Sequence, residues 1–430
     1  MKDPRLGLIG LFSANAVSAL GTAMSLLAVP WFVLAMTGSP VDTGLAALAE
    51  MLPYVLAQGL GGPLVDGLGA RRLSVLTDLV AALGMGALPL VGMTAPPHAG
   101  ATGSLDLPLI CAFLVVVGAA RGGGDIARRV LLPELAGPAS MPLDRASGLY
   151  DGINRASNLA GAPLAGLLML MTSAPLVLAA DAASFASSAL IVGLLCRGRK
   201  LGEPRAFRES RRGRRRGPSY LAELREGFAR VSRDRLLLGI GAMIVATNFL
   251  DQAYGAVLLP SWAKSELGSP LSLGILSALF GLGAVSGNAL MAWLSPRLPR
   301  RMPFAIGFFL CGAPRFLVLA SSSSLLPAAA VSLVAGLGAG GLNPALGAVE
   351  YERVPSPFRA RVLGALGAMA WAGIPFGGLA GGLLAETLGL ENTLWIFGVA
   401  YLLATLSPFV FPVWREMDGG GAEAERAAEA

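Results

Sequence analysis

The chain reads as an all-α membrane protein, with twelve transmembrane helices in two pseudo-symmetric six-helix bundles. Three observations predict this. Of 430 residues, 54% are hydrophobic and 14% charged, more apolar sequence than a soluble domain of this length hides in one core. The apolar residues gather into about twelve runs, each near the ~20 residues that cross a bilayer. Proline- and glycine-bearing stretches of the first half recur in the second.

The spans lie near 6–36, 43–67, 73–93, 107–127, 143–171, 175–196, 236–264, 272–296, 303–321, 325–350, 361–386 and 393–414. They divide the chain into a first bundle (1–196), a basic linker (197–235), a second bundle (236–414) and a tail (415–430). The first span, led by Met1-Lys-Asp-Pro-Arg5, is too long for a signal-peptide core and is expected to be retained. Span one ends Val29-Pro30-Trp31 and span seven ends Leu259-Pro260-Ser261-Trp262, with the prolines 230 residues apart. Span five carries Gly161-Ala-Pro163-Leu-Ala-Gly166, and span eleven carries Gly373-Ile-Pro375-Phe-Gly-Gly378, offset by 212. Parallel echoes of this kind indicate two halves of shared ancestry.

Lys and Arg outside the spans fall almost entirely at the N-terminus, in the even-to-odd loops and at the C-terminus; the other side contributes Lys264. That asymmetry predicts cytoplasmic termini in a plasma (inner) membrane protein. The net charge of +6 is therefore a topology signal, and nucleic acid is not an expected partner. In the linker, Arg211-Arg-Gly-Arg-Arg-Arg216 should attract anionic lipid headgroups. Leu221, Leu224, Phe228 and Val231 then form one face of an amphipathic helix expected to lie flat on the membrane surface. Trp31, Trp262, Trp293, Trp395 and Trp414 lie near span ends, as an aromatic belt requires.

Between spans two and three lies Gly62-Pro-Leu64-Val-Asp66-Gly-Leu-Gly69-Ala-Arg71-Arg72. Gly62 and Gly69 suit close helix approach and positive φ, and Asp66 is a carboxylate at a membrane edge that needs a partner. The spacing of Gly62, Leu64, Asp66, Gly69, Arg71 and Arg72 resembles the loop between helices two and three of the major facilitator superfamily. Val130-Leu-Leu-Pro133, Leu258-Leu-Pro260 and the stretch from Asn343-Pro344 to Arg361 extend the resemblance over nearly the whole chain. It points to the branch containing macrolide-type drug exporters and the enterobactin exporter. The resemblance implies that Asp66 latches onto the start of span eleven, near Arg359 and Arg361, when the cytoplasmic side is closed. It also implies a cavity lined by spans one, four, seven and ten, with contributions from two, five, eight and eleven.

No phosphate loop, disulfide framework or metal site is expected: the cysteines are Cys111, Cys196 and Cys311, and His98 is the sole histidine. The chain is read as a non-enzyme without cofactors. Its informative residues are ionisable groups inside spans, each costing at least ~2.5–3.5 kcal/mol at mid-helix. Glu50 and Asp251 lack a basic partner at helical spacing and are expected to carry protons or touch substrate. Arg121 and Asp125, four apart, are expected to pair. Asp151, Asn154, Arg155 and Asn158 form a polar stripe on span five, with Asp151 and Arg155 neutralising each other. Asn248 and Tyr254 are cavity candidates, and Trp371 either packs between helices or faces substrate. Asp78 and Asp181 read as structural, and Arg315 as a snorkelling residue without an obvious partner. Pro163, Gly166, Pro375 and Gly378 suggest helix bending and close packing.

The expectation is a monomeric, proton-coupled exporter of a small hydrophobic compound. The alternatives are a facilitator or importer of a nutrient or lipid on the same fold, and a non-transporting receptor.

Overall fold

The computed structural model describes residues 4–94, 106–196, 220–294, 298–342, 346–347, 349, 353–354 and 358–418. The linker run at 211–216, His98, the Asn343-Pro344 pair and the tail beyond residue 418 lie outside these. The first bundle comprises α1 (Pro4–Thr37), α2 (Pro40–Leu68), α3 (Ala70–Thr94), α4 (Asp106–Ala136), α5 (Leu143–Met171) and α6 (Ala174–Leu195). A short helix, α7 (Tyr220–Arg233), leads into α8 (Arg235–Leu267) and α9 (Pro270–Leu294). Next come α10, in segments Arg301–Cys311 and Ala313–Ser321, and α11 (Leu325–Gly340). The chain then forms α12, in segments Arg359–Ala372 and Ile374–Leu388, and α13 (Leu390–Val410). Spans seven to twelve are thus α8 to α13.

Among the described residues, nine helices are long and apolar enough to cross a membrane. Two more of sufficient length, α2 and α5, are diluted by polar residues such as Glu50 and Gln58, or Asp151, Asn154 and Arg155; α11 is the shorter apolar helix.

Packing repeats between the halves. In the first bundle α1 packs on α5, α2 on α4, and α3 on α6; in the second α8 packs on α12, α9 on α11, and α10 on α13. Small residues make the α2–α4 and α9–α11 crossings tight. A Cβ on Gly118 or Gly122 would strike the backbone of Glu50 or Tyr54, and one on Gly283 or Gly287 the backbone of Leu333 or Leu337. Close backbone approach is what binds helices in lipid, where apolar burial alone gives no driving force. Large side chains such as Leu83, Leu190 and Leu403 point outward, as a lipid-facing surface requires.

The halves meet at the end of the molecule remote from the termini. Gly378 of α12 lies against Gly44 and Ala47 of α2, and Gly166 of α5 against Gly274 of α9 at 2.7 Å from a Cβ position. The two echoed glycines are therefore both interface residues. At the same end Glu386 accepts from Ser39 Oγ (2.6 Å) and Val41 N (3.3 Å), capping α2 from the other half; a carboxylate is favoured at a helix N-terminus. Lys264 donates to the Leu34 carbonyl at 2.5 Å, tying α8 to α1. The contacts between halves continue inward to mid-span, where Tyr54 meets Trp371 and Leu159 meets Gly281.

Helix irregularities have local causes. The α8 helix widens into π turns at Tyr254–Leu258 and Ala263–Leu267, flanking Pro260, which cannot donate to the ladder. The Tyr401 ring occupies the space of a Gly312 side chain where α10 breaks. The α12 helix breaks at Gly373, two residues before Pro375. Pro163, by contrast, lies inside an unbroken α5, so span five does not share the break of its counterpart. At the end of α2, Gly69 has φ +83°, a conformation open to glycine. Of the expected aromatic belt, Trp293 and Trp395 are exposed. Trp262 and Trp414 are instead buried, Trp262 donating to the Ser322 carbonyl at 3.2 Å and Trp414 packing on Phe304.

Candidate functional site

A cavity of about 290 Å³ opens at mid-span between the halves. Its walls come from α1 and α5 on one side and α8, α9, α10 and α11 on the other, so of the expected spans two, four and eleven do not line it, and span nine does through Arg315. Most of the lining is apolar: Leu26, Leu27, Leu259, Leu276 and Phe280. Polar groups enter at Asn158, Asp251, Tyr254, Ser277, Arg315 and Ser332.

Asp251 is at the centre of α8, and Arg315 reaches it from the second segment of α10. Arg315 Nη2 donates to Asp251 Oδ1 at 2.5 Å. The Tyr401 hydroxyl donates to the other carboxylate oxygen at 3.3 Å. The guanidinium lies 4.7 Å from the Tyr254 ring centroid and 5.4 Å from that of Phe280, within cation–π range. Arg315 is buried, while the Asp251 side chain keeps 36% of its surface accessible, towards the cavity it lines. The unpartnered carboxylate and the snorkelling arginine expected from sequence are thus one ion pair. They are 64 residues apart, so helical spacing could not reveal it.

A second cluster fills the first bundle. Arg121 pairs with Glu50 across the α2–α4 crossing, not with Asp125. Gly118 and Gly122 bring α2 so close that Glu50 is within reach. Asp125 instead accepts from Arg128 at 3.0 Å and from the Tyr54 hydroxyl at 2.9 Å. Arg128 also donates to Asp78 at 2.8 Å, and Ser188 to the same carboxylate at 2.7 Å. Gln58 donates to the Tyr54 oxygen at 2.6 Å. The network ties α2, α3, α4 and α6 together and gives Asp78 the structural part expected of it. Asp181 accepts from Ser184 at 3.0 Å. Tyr54, Gln58, Arg128 and Tyr401 were missed in the sequence. The four-residue spacing of Gly118 and Gly122 beside Arg121 was the signal that could have found this second cluster.

The polar stripe on α5 divides. Asn158 lines the cavity, and Asn154 accepts from Asn15 at 2.9 Å, joining α5 to α1. Asp151 and Arg155 are exposed and, among the described residues, do not pair; an exposed pair four apart gains only a few tenths of a kcal/mol. Asn248 donates to the Ala370 carbonyl at 2.8 Å, so it joins α8 to α12 and is absent from the cavity lining. Trp371 packs on Tyr54 with ring centroids 5.8 Å apart, taking the packing alternative.

At the termini end, Arg71 donates to the Gly193 carbonyl at 2.5 Å, fastening α3 to α6. Asp66 and Arg72 are exposed. Arg361, at the start of α12, is engaged by Glu226 of α7 at 2.7 Å, and Arg359 donates to the Val354 carbonyl at 3.4 Å. Gly227 packs against the Arg361 carbonyl. Of the expected apolar face of α7, Val231 is buried and Phe228 remains largely exposed; the helix docks on α12.

The curated relatives span nearly the whole chain. A multidrug efflux pump, Tap, of Mycobacterium tuberculosis is 29% identical over 407 residues, covering 94% of this chain and 93% of its own. Tap of Mycolicibacterium fortuitum is 26% identical over 415 residues, covering 96% and 97%. Macrolide efflux protein A of Streptococcus pyogenes is 21% identical over 424 residues, covering 95% and 96%. Among solved structures, the nucleoside transporter NupG superposes with TM-score 0.73 at 13% identity, covering 94% of this chain and 99% of its own. A bacterial homologue of the iron transporter ferroportin, in its inward-facing state, gives 0.72 at 16%, covering 94% and 98%. The family profile described as Major Facilitator Superfamily matches residues 11–251 and again 241–430, once for each half. With these matches over a two-bundle fold, the chain belongs to the major facilitator superfamily.

Proposed function

We propose that this transporter is a proton-coupled exporter of small, largely apolar compounds and works by alternating access. The observation that carries the reading is the Asp251–Arg315 pair, held at mid-span and facing a mainly apolar cavity between the halves. An ionisable pair at membrane depth is costly unless it has a use. Protonation of Asp251 removes its attraction for Arg315 and frees the guanidinium to change partners. The apolar walls suit a hydrophobic solute, and the pump names of the relatives support export.

The charge asymmetry supports cytoplasmic termini in a plasma-membrane protein. With the halves joined at the opposite end, the conformation is inward-open. Substrate enters from the termini side, and the return step closes that side, where Asp66 meets the start of α12. Glu50 with Arg121 is the second candidate relay.

The test is efflux from proteoliposomes under an imposed pH gradient, over a panel of lipophilic compounds. Asp251→Asn should abolish the dependence of efflux on the gradient while leaving downhill equilibration. Glu50→Gln is assayed separately. Gradient-driven efflux that survives both substitutions refutes the assignment.

A further inference from the structure

A second cavity, of about 500 Å³, lies far from the central one, at the termini end of the second bundle. Its wall is built from the end of α7, the first turn of α8, residues 353–354, the start of α12 and the turn after α13. Four arginines line it, Arg230, Arg233, Arg235 and Arg353, against two carboxylates, Asp234 and Glu416.

Both carboxylates are already committed. Asp234 caps α8, accepting from Leu236 N at 2.9 Å and Leu237 N at 3.1 Å, and takes Arg353 Nε at 2.6 Å. Glu416 takes Arg353 Nη2 at 2.5 Å. Arg353 is thereby satisfied twice. The Arg230 guanidinium is stacked 3.3 Å from the Phe358 ring centroid. Among the described residues, Arg233 and Arg235 have no ion-pair partner. Among the described lining residues the uncompensated charge is therefore positive. Its floor is apolar, formed by Leu237, Val354 and Val362, which are buried in one cluster. Arg235 opens a membrane span, which puts the arginines at headgroup level beside the apolar floor.

We propose that this cleft binds a phosphate-bearing anion, supplied by the headgroup of an anionic membrane lipid whose chains follow the apolar floor. The site goes beyond the transport reading and does not use the central cavity. Arginine is suited to phosphate through its planar fork of donors. A ligand here would touch α7, α8, α12 and the C-terminal turn at once.

The experiment titrates dioleoyl-phosphatidylglycerol, phosphatidylcholine or inorganic phosphate into the full-length protein in neutral detergent. Bound lipid is read by native mass spectrometry and stabilisation by melting temperature. Phosphatidylglycerol should bind and stabilise, while phosphatidylcholine and inorganic phosphate should do neither at the same concentration. The double variant Arg233→Gln/Arg235→Gln should weaken phosphatidylglycerol binding roughly thirtyfold, as expected on removing two arginines near an anionic surface. Its lipid-free melting temperature should be unchanged, because neither arginine makes an ion pair among the described residues. Equal binding of phosphatidylglycerol by wild type and variant overturns the site. Inorganic phosphate binding as tightly as the lipid, and lost in the variant, overturns the lipid source.

Discussion

Asp251 and Arg315 are each costly alone at membrane depth and offset one another when paired. Removing one partner of a buried pair leaves an uncompensated charge, which costs about 3–5 kcal/mol. Arg315→Met should therefore destabilise the second bundle in a reversible unfolding titration in detergent, by less than that amount because the Asp251 carboxylate it strands keeps 36% of its surface accessible. Asp251→Asn/Arg315→Met should recover most of the loss, since no charge is then stranded. Additive losses in the double variant would mean that the two residues stabilise the fold independently. Sequence inspection marks both residues as anomalous, because ionisable groups inside spans stand out. It pairs neither, since their separation of 64 residues obeys no helical rule. The same holds for Arg121, whose local candidate at i+4 loses to Glu50 on a neighbouring helix.

At the scale of helices, the network in the first bundle exists because α2 and α4 cross without intervening side chains. Gly118→Val would put a branched side chain into the Glu50 backbone. The helices must then separate, breaking the Glu50–Arg121 contact and loosening Tyr54. Overpacking of this kind costs ~1–3 kcal/mol, and the loss of a buried pair adds to it. Gly148→Ala, in helix α5 where a Cβ meets nothing within 4 Å, should instead stabilise by roughly 0.5–1 kcal/mol, since glycine is a poor helix former. Comparing the two by thermal unfolding tests whether the crossing, and not glycine content, stabilises the bundle. The echoed Gly-Ala-Pro and Gly-Ile-Pro stretches were legible as related elements. Their different outcomes, an unbroken α5 and an α12 broken at Gly373, were not, because a proline's neighbours decide whether its freed carbonyl is accommodated in line.

For the whole molecule, two symmetric contacts hold the halves together at the end remote from the termini: α2 with α12 and α5 with α9. Glycines at both make the fit backbone to backbone. Gly44→Val should wedge α2 from the Gly378 carbonyl, 2.5 Å from the added Cβ, and shift the population away from the observed conformation. Spin labels at Asp42 and Thr387, one on each half, should report a longer distance in Gly44→Val than in wild type. An unchanged distance distribution would show that closure at this end does not depend on the glycine fit. Tyr54 bridges the same two halves nearer mid-span, its ring tilted against Trp371 while its hydroxyl serves Asp125. The polar network of the first bundle is thus in contact with the interface between the halves.

The class, the twelve spans and the duplicated halves are written along the chain, because a bilayer imposes its demands segment by segment: each crossing needs its own apolar length, and each repeat keeps its own prolines and glycines. Which acid meets which base, which walls enclose the cavity and which end is shut depend on how helices cross. A crossing is settled by small residues on both partners at once. Long arginine side chains then choose among carboxylates on several helices, a choice no local pattern encodes.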